Sequence, residues 1–384
     1  MLKVNMSFPN TTALLDALIA APSVSCVNTN IDQSNKQVID LLANWCQDLG
    51  FDCEILPVRA DKFNLIATLG QGDGGLVLAG HTDTVPYDLE QWQVNPFQLT
   101  EKDGLFYGLG TSDMKGFFAL ILDAVQQFDP KQFKHPLILL ATADEESGMD
   151  GAKALLNTWK TGAKQAVIGE PTNIRPIRMH KGIFMEAIHL YGLAGHSSDP
   201  SLGNNALEGM HLVIAELLRW RQQLQQQYHN PLFQIPVPTL NLGHIHGGDN
   251  PNRICGHCEL HIDLRPLPNM DIAELRAMLR QKVQHAVANL GLAVECKALF
   301  DGIPAMETPQ QAEIVQITQK LTQYEAEAVA FATEAPYLQQ LGIEPVVLGP
   351  GDIAQAHQPN EFISAARLQP MTDILVQLIK HFCL

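Results

Sequence analysis

Leu76-Val-Leu-Ala-Gly-His81-Thr-Asp83 begins as an apolar run of strand type and ends in a histidine and an aspartate two residues apart. In an extended strand, side chains at i and i+2 point the same way. The imidazole and the carboxylate therefore leave the strand's end together. A carboxylate beside a neutral imidazole is how a metal-ligating histidine is usually held. An isolated His-x-Asp is equally a strand end turning with a polar pair, so the stretch gains weight only where the rest of the chain repeats it.

The repetition is present. Pro136 to Ala143 is a second apolar strand, and it ends in Asp144-Glu145-Glu146. Three consecutive acids repel one another unless solvent or a cation screens them. Ala166-Val-Ile-Gly-Glu170 again gives strand, glycine and carboxylate, and Pro345-Val-Val-Leu-Gly-Pro-Gly351 leads to Ala356-His357. Phe106-Tyr-Gly-Leu-Gly-Thr-Ser-Asp113-Met-Lys-Gly116 places a carboxylate at a loop-to-helix junction. The run after Gly116 is hydrophobic nearly all round, the mark of a buried helix. Asp113 alone also fits a helix N-cap. Ligands of open α/β sheets bind at the carboxyl ends of strands. Two histidines and several carboxylates at such ends suit zinc or another borderline divalent metal.

The surrounding segments frame an α/β domain. Residues 11–20 and 33–49 carry apolar residues at helical spacing, and Phe63 to Leu69 reads as a strand. Gly70-Gln-Gly-Asp-Gly-Gly75 resembles a phosphate loop, but it leads into a strand, so a hairpin turn is expected there. Residues 182–300 read differently, as strand, helix, strand, strand, helix, strand. That order is a ferredoxin-like plait, inserted as a lid between residues 1–181 and 301–384 of the metal-binding domain. Its first helix carries Leu207, Met210, Val213, Ile214, Leu217 and Leu218, a stripe for a core or a dimer face. His196 follows the first lid strand, and His244 and His246 precede a Gly-Gly turn, where they read as ordinary polar strand-end residues.

Composition sets the outer limits. A chain of 384 residues exceeds what one core usually holds, so two domains are expected. Hydrophobic residues make up 46% and charged ones 17%, a globular balance. No apolar run approaches the ~20 residues needed to span a bilayer. Net charge of −16 disfavours nucleic acid and anionic membranes as partners. The segment Met1-Leu-Lys-Val-Asn-Met-Ser-Phe-Pro has no signal-peptide pattern, and the 7 cysteines are odd in number and scattered, which fits a reducing cytoplasm. Cys255-Gly-His-Cys258 does not read as a metal site, because residues three apart on a strand face opposite sides.

Together these motifs resemble the zinc-dependent aminoacylase, deacetylase and desuccinylase family of metallopeptidases. The pieces that carry the resemblance are Gly80-His-Thr-Asp-Thr-Val-Pro86, Gly108-Leu-Gly-Thr-Ser-Asp-Met-Lys-Gly116, Thr142-Ala-Asp-Glu-Glu146, Gly169-Glu-Pro-Thr172, Gly195-His-Ser-Ser198 and Ala356-His-Gln-Pro-Asn-Glu361. They span nearly the whole chain. The resemblance implies a zinc-exopeptidase-like α/β catalytic domain, with a mixed sheet between helices, and an α+β lid. It implies two Zn²⁺ per subunit, replaceable by Co²⁺, bridged by Asp113. His81 and Glu170 would complete one site, Glu146 and His357 the other, with Asp83 orienting His81 and Glu145 as general base. A cis peptide after Asp113 is also implied. The lid's His196 would reach the reaction from a second copy, in a homodimer formed through the lids. Leu240-Asn-Leu-Gly-His-Ile-His-Gly-Gly248, Thr333-Glu-Ala-Pro336 and Leu348-Gly-Pro-Gly351 resemble members acting on N2-acetyl-L-ornithine. Succinyl-diaminopimelate and dipeptides are the alternative substrates. For a small N-acyl amino acid, Arg265 is the expected carboxylate partner, with Asn252 and Arg253 behind it, and Glu334 the acid for a side-chain amine.

Overall fold

The computed structural model describes residues 8–384; residues 1–7, and with them most of the N-terminal stretch without a signal-peptide pattern, lie outside the described residues. The chain divides into two compact units. One comprises Met1–Arg178, Thr308–Glu327 and Thr333–Leu384, the other Met179–Glu307 and Ala328–Ala332. The second unit thus begins before and ends after the 182–300 span read from the sequence.

In the larger unit, neighbouring strands run in the order Asp52–Arg59, Lys62–Leu69, Leu137–Thr142, Leu76–His81, Gln165–Ile168, Glu344–Val347. Leu76–His81 lies parallel to both Leu137–Thr142 and Gln165–Ile168, and every residue of these three strands is buried. Burial on both faces accounts for their unbroken apolar sequence. The helix Lys115–Val125 is buried at every position but Asp123, and packs against Thr11–Ile19 and Ala365–Cys383. Gly116 opens it because a Cβ there would collide with the carbonyl oxygen of Thr111.

The hairpin expected at Gly70–Gly75 is not formed. Leu137–Thr142 lies between the two flanking strands, antiparallel to one and parallel to the other. The glycine run instead turns at the sheet's end, where Gly74 N donates to the Gly162 carbonyl at 3.0 Å. Leu76–His81 and Leu137–Thr142 are both nearly continuous apolar runs, so their sequence does not say which of them pairs with Lys62–Leu69. The hairpin sits one strand earlier, between Asp52–Arg59 and Lys62–Leu69, with Asp61 at φ 60° in the turn.

In the smaller unit, four antiparallel strands run in the order Ala293–Ala298, Phe184–Tyr191, His257–Arg265, Thr239–Gly247. With helices Ala206–Gln227 and Ile272–Ala286 between them in sequence, this is the order of a ferredoxin-like plait. Along His257–Arg265, Cys258, Leu260, Ile262 and Leu264 are buried in the core, and the alternate residues face away from it. Cys255 and Cys258 are both free thiols. Among the described residues, no helix is long and apolar enough to cross a membrane.

Candidate metal centre

The ends of the buried strands deliver the site. Thr82 is tied to Thr142 by both its backbone N (2.9 Å) and its Oγ1 (2.8 Å), which fixes the end of Leu76–His81. His81 is 1% exposed. Its Nδ1 lies 3.0 Å from the Asp83 carbonyl oxygen, so a neutral ring keeps its proton on Nδ1 and turns the Nε2 lone pair to the site, whereas without a cation Asp113 and the other carboxylates favour, against burial, a second proton on Nε2. Nε2 is 3.1 Å from Asp113 Oδ1 and 3.8 Å from Glu170 Oε1. His357 Nε2 lies 3.6 Å from Asp113 Oδ2 and 3.0 Å from Glu146 Oε2. Asp113 therefore offers one oxygen to each imidazole. The peptide bond between Asp113 and Met114 is cis.

These separations have a chemical meaning. Two donors on one tetrahedral ion, each about 2.0–2.1 Å from it, lie roughly 3.3 Å apart. The groups His81, Asp113, Glu170 and Asp113, Glu146, His357 each bring one ligand atom per residue within 4.8 Å of the others. Glu145 joins a further such group with His81 and Glu146. Charge points the same way. Burial pushes the Glu170 carboxyl well up; His81 pulls it down, while Asp113, Glu146 and Glu334 push it further. Glu145 is held up likewise by burial and by Glu170. Burial would raise Asp113 too, but the bond from His81 and the nearby His357 keep it below the usual range. His357 is raised to about 9, chiefly by its bond to Glu146. A site that otherwise needs protons to hold its acids together has the donor set and the negative charge for divalent cations.

Residues 77–381 match the sequence pattern of peptidase family M20/M25/M40. The chain belongs to this family. It is 50% identical to an acetylornithine deacetylase of Pasteurella multocida over 377 residues, covering 98% of each chain. Among solved structures, it resembles an M20 family metallo-carboxypeptidase from Sulfolobus solfataricus, with a TM-score of 0.77 at 18% identity over 97% of this chain and 99% of the other. It also resembles a dinuclear metal-binding M20 peptidase from Bacillus subtilis, with a TM-score of 0.66 at 16% identity over 96% and 98%.

Around the M20 centre, three acids carry supporting contacts that spacing did not reveal. Asp83 was expected to orient His81 through its carboxylate. That carboxylate lies 3.7 Å from Nδ1, beyond a hydrogen bond. It is instead filled by the backbone N–H groups of Glu145 (3.2 Å) and Glu146 (3.1 Å). Asp83 therefore aims His81 with its carbonyl and the Glu145–Glu146 turn with its side chain. Asp144, at φ 56°, points away from its two neighbours and is held by Lys62 (2.7 Å), Arg59 (2.7 Å) and Ser25 (2.8 Å). Glu361 accepts from the backbone N–H groups of Gly110 (2.9 Å), Ser112 (2.7 Å) and Asp113 (2.9 Å). Burial pushes it up to about 8, against those three donors. Only its place in the motif ending at Glu361 hinted at this duty.

The remaining candidates fall elsewhere. Glu334 is 1% exposed and accepts from Thr142 Oγ1 at 2.7 Å, and its other oxygen has no partner among the described residues. Burial lifts it to about 7. In the smaller unit, His196 is exposed, and its Nδ1 lies 2.7 Å from Ser198 Oγ and 3.2 Å from the Ser198 N–H. Asn252 shares that turn, its carbonyl accepting from Ser197 N at 3.0 Å, and Arg253 bridges to His196. Arg265, at the end of its strand, forks onto Asp263 through Nε (2.9 Å) and Nη2 (3.1 Å).

Proposed function

We propose that the chain hydrolyses N2-acetyl-L-ornithine to L-ornithine and acetate at a dinuclear centre. The observation that carries the reaction type is Asp113, with an oxygen turned to each of two imidazoles. The substrate reading rests on the Pasteurella multocida relative and its name. Asp113 would be the ligand common to both ions, with His81 and Glu170 holding one and Glu146 and His357 the other. Imidazole and carboxylate ligands suit Zn²⁺, with Co²⁺ able to replace it. Bound there, the ions would supply Lewis acidity to an attacking water and to the amide carbonyl.

The chain's own groups do the rest. Glu145 takes a proton from the attacking water and passes it to the leaving nitrogen. Asp83 keeps Glu145 and Glu146 in register through their N–H groups. His196 accepts the Ser198 N–H at Nδ1, which leaves the proton of its neutral ring on Nε2. Such an N–H donor suits the charge that develops on the amide oxygen. In our reading a second copy supplies it, in a homodimer built through the smaller unit. The outer strand Thr239–Gly247 supports this: it has one neighbouring strand in its sheet and carries Ile245, 51% exposed.

For the substrate's α-carboxylate we assign Arg265 and Asn252. For the side-chain amine, a cleft of about 200 Å³ beside His357 is lined by Asp88, Tyr87 and Trp92, a carboxylate with two aromatic faces. Glu334 then serves beneath the site, beside Thr142, rather than at the amine. Seven free thiols fit a cytoplasmic enzyme of the ornithine-forming step of arginine biosynthesis.

The test is kcat/KM of the zinc-loaded enzyme on acetylornithine, succinyl-diaminopimelate and a dipeptide, each with a chelator control. Acetylornithine is expected to lead, with all turnover lost on chelation. A lead for either rival moves the substrate assignment and leaves the centre standing. Turnover that survives full removal of metal overturns both.

A further inference from the structure

The face of the four-stranded sheet turned away from its helices carries an unusual set of side chains. His257, Glu259 and His261 alternate along one strand, His189 and Tyr191 along its neighbour, and His244 along the other. Pairing brings them into rows: Glu259 opposite His189, His257 opposite Tyr191, and His261 opposite His244. Directly paired side chains on one face are close neighbours.

The distances are those of a ligand set. His189 Nδ1 lies 3.2 Å from His257 Nε2 and 3.5 Å from Glu259 Oε2. Both lie near the roughly 3.3 Å edge expected between donors on one tetrahedral ion. The other oxygen of Glu259, Oε1, lies 3.5 Å from His244 Nε2. The rings are ordered: His189 and His257 are stacked at 14°, and Tyr191 stacks on His257 with centroids 4.9 Å apart. The side chains facing Glu259 include the imidazoles of His244, His261 and His189, and His246 pairs with it on the outer strand. The simpler account is a shared hydrogen bond between two imidazoles beside a carboxylate. It uses one proton where the three donors could hold one cation.

We propose that His189, His257 and Glu259 form a further metal site, separate from the centre at Asp113, that takes a borderline divalent cation such as Zn²⁺. Two imidazoles and a carboxylate leave a fourth position for water. The ion ties the strand Phe184–Tyr191 to His257–Arg265 and clamps the middle of this sheet. His244 and His261 lie on the far side of Glu259 and are not needed.

The experiment starts from enzyme with both catalytic positions filled with zinc and no excess metal. Zn²⁺ is then titrated by equilibrium dialysis, with metal per chain read by elemental analysis. A third equivalent is expected in the native protein. Its affinity falls tenfold or more in the double variant His189→Ala/His257→Ala and in Glu259→Gln. It is kept in His244→Ala/His261→Ala, and hydrolysis changes less than twofold in all three. A native protein that stops at two ions overturns the proposal. So does a third ion bound as tightly after His189 and His257 are removed, or one lost only with His244 and His261. Circular dichroism of each variant separates lost ligands from lost fold.

Discussion

The centre around Asp113 and the imidazole face around Glu259 use the same donor types at similar separations. Asp113 lies 3.1 and 3.6 Å from its two imidazoles, and Glu259 lies 3.5 Å from His189 and from His244. Their surroundings differ. His81, Asp113 and Glu170 are all buried, His81 and Glu170 at the ends of strands buried on both faces and Asp113 in the loop before a buried helix. The side chains of His189, Glu259 and His244 are 14, 25 and 52% exposed on an open sheet face. A buried cluster of acids cannot shed its repulsion into water, so its neutrality must come from protons or cations. An open face has water and its own hydrogen bonds as alternatives. Donor geometry thus says where a cation fits, while burial says how badly one is needed.

The sharpest way to break this contrast is Asp113→Ala. It removes the carboxylate that turns one oxygen to each imidazole, so both ions should be lost and turnover should fall by about 10⁴-fold or more, read by metal analysis and kcat. Next is Glu145→Ala. Removing a general base costs on the order of 10²–10⁴ in rate, while metal content should stay at the native level. If the two fall together, Glu145 is a ligand and not the base. Glu361→Gln keeps the size of the side chain but halves its acceptor oxygens for the Gly110, Ser112 and Asp113 N–H groups. Loss of such outer support typically costs 10- to 100-fold in metal affinity or activity, to be measured by competition with a chelator.

The smallest effect expected is on pH dependence. In metal-free protein, His357 is raised from 6.5 to about 9 by its bond to Glu146. A group with a raised folded pKa stabilises fully below its unfolded pKa and loses that contribution as pH rises through the folded value. The contribution of His357 is therefore present at pH 6.5 and gone above about 9. The ring is half-exposed, so the change is small. Melting temperature of the chelated protein across that window should fall less steeply in His357→Gln than in the native chain.

The strand-end acids and histidines were legible because each follows an apolar run, and such runs are local in sequence. Strand order was not. Leu137–Thr142 and Leu76–His81 are equally apolar, so nothing in either says that the first separates the second from Lys62–Leu69. The work of Asp83, Asp144 and Glu361 was hidden for a related reason. Their partners are backbone N–H groups or distant bases, such as Lys62 for Asp144, and these leave no mark in residue spacing. The alternation of His257, Glu259 and His261 was visible in the sequence, but its meaning depended on His189, which only strand pairing brings opposite Glu259.

Anomalous scattering at the zinc absorption edge, from crystals of the zinc-loaded protein, tests the shared role of Asp113 most directly. Two peaks should flank its carboxylate, one beside His81 and Glu170 and the other beside Glu146 and His357. A single peak there, or none within bonding reach of Asp113, would contradict the account.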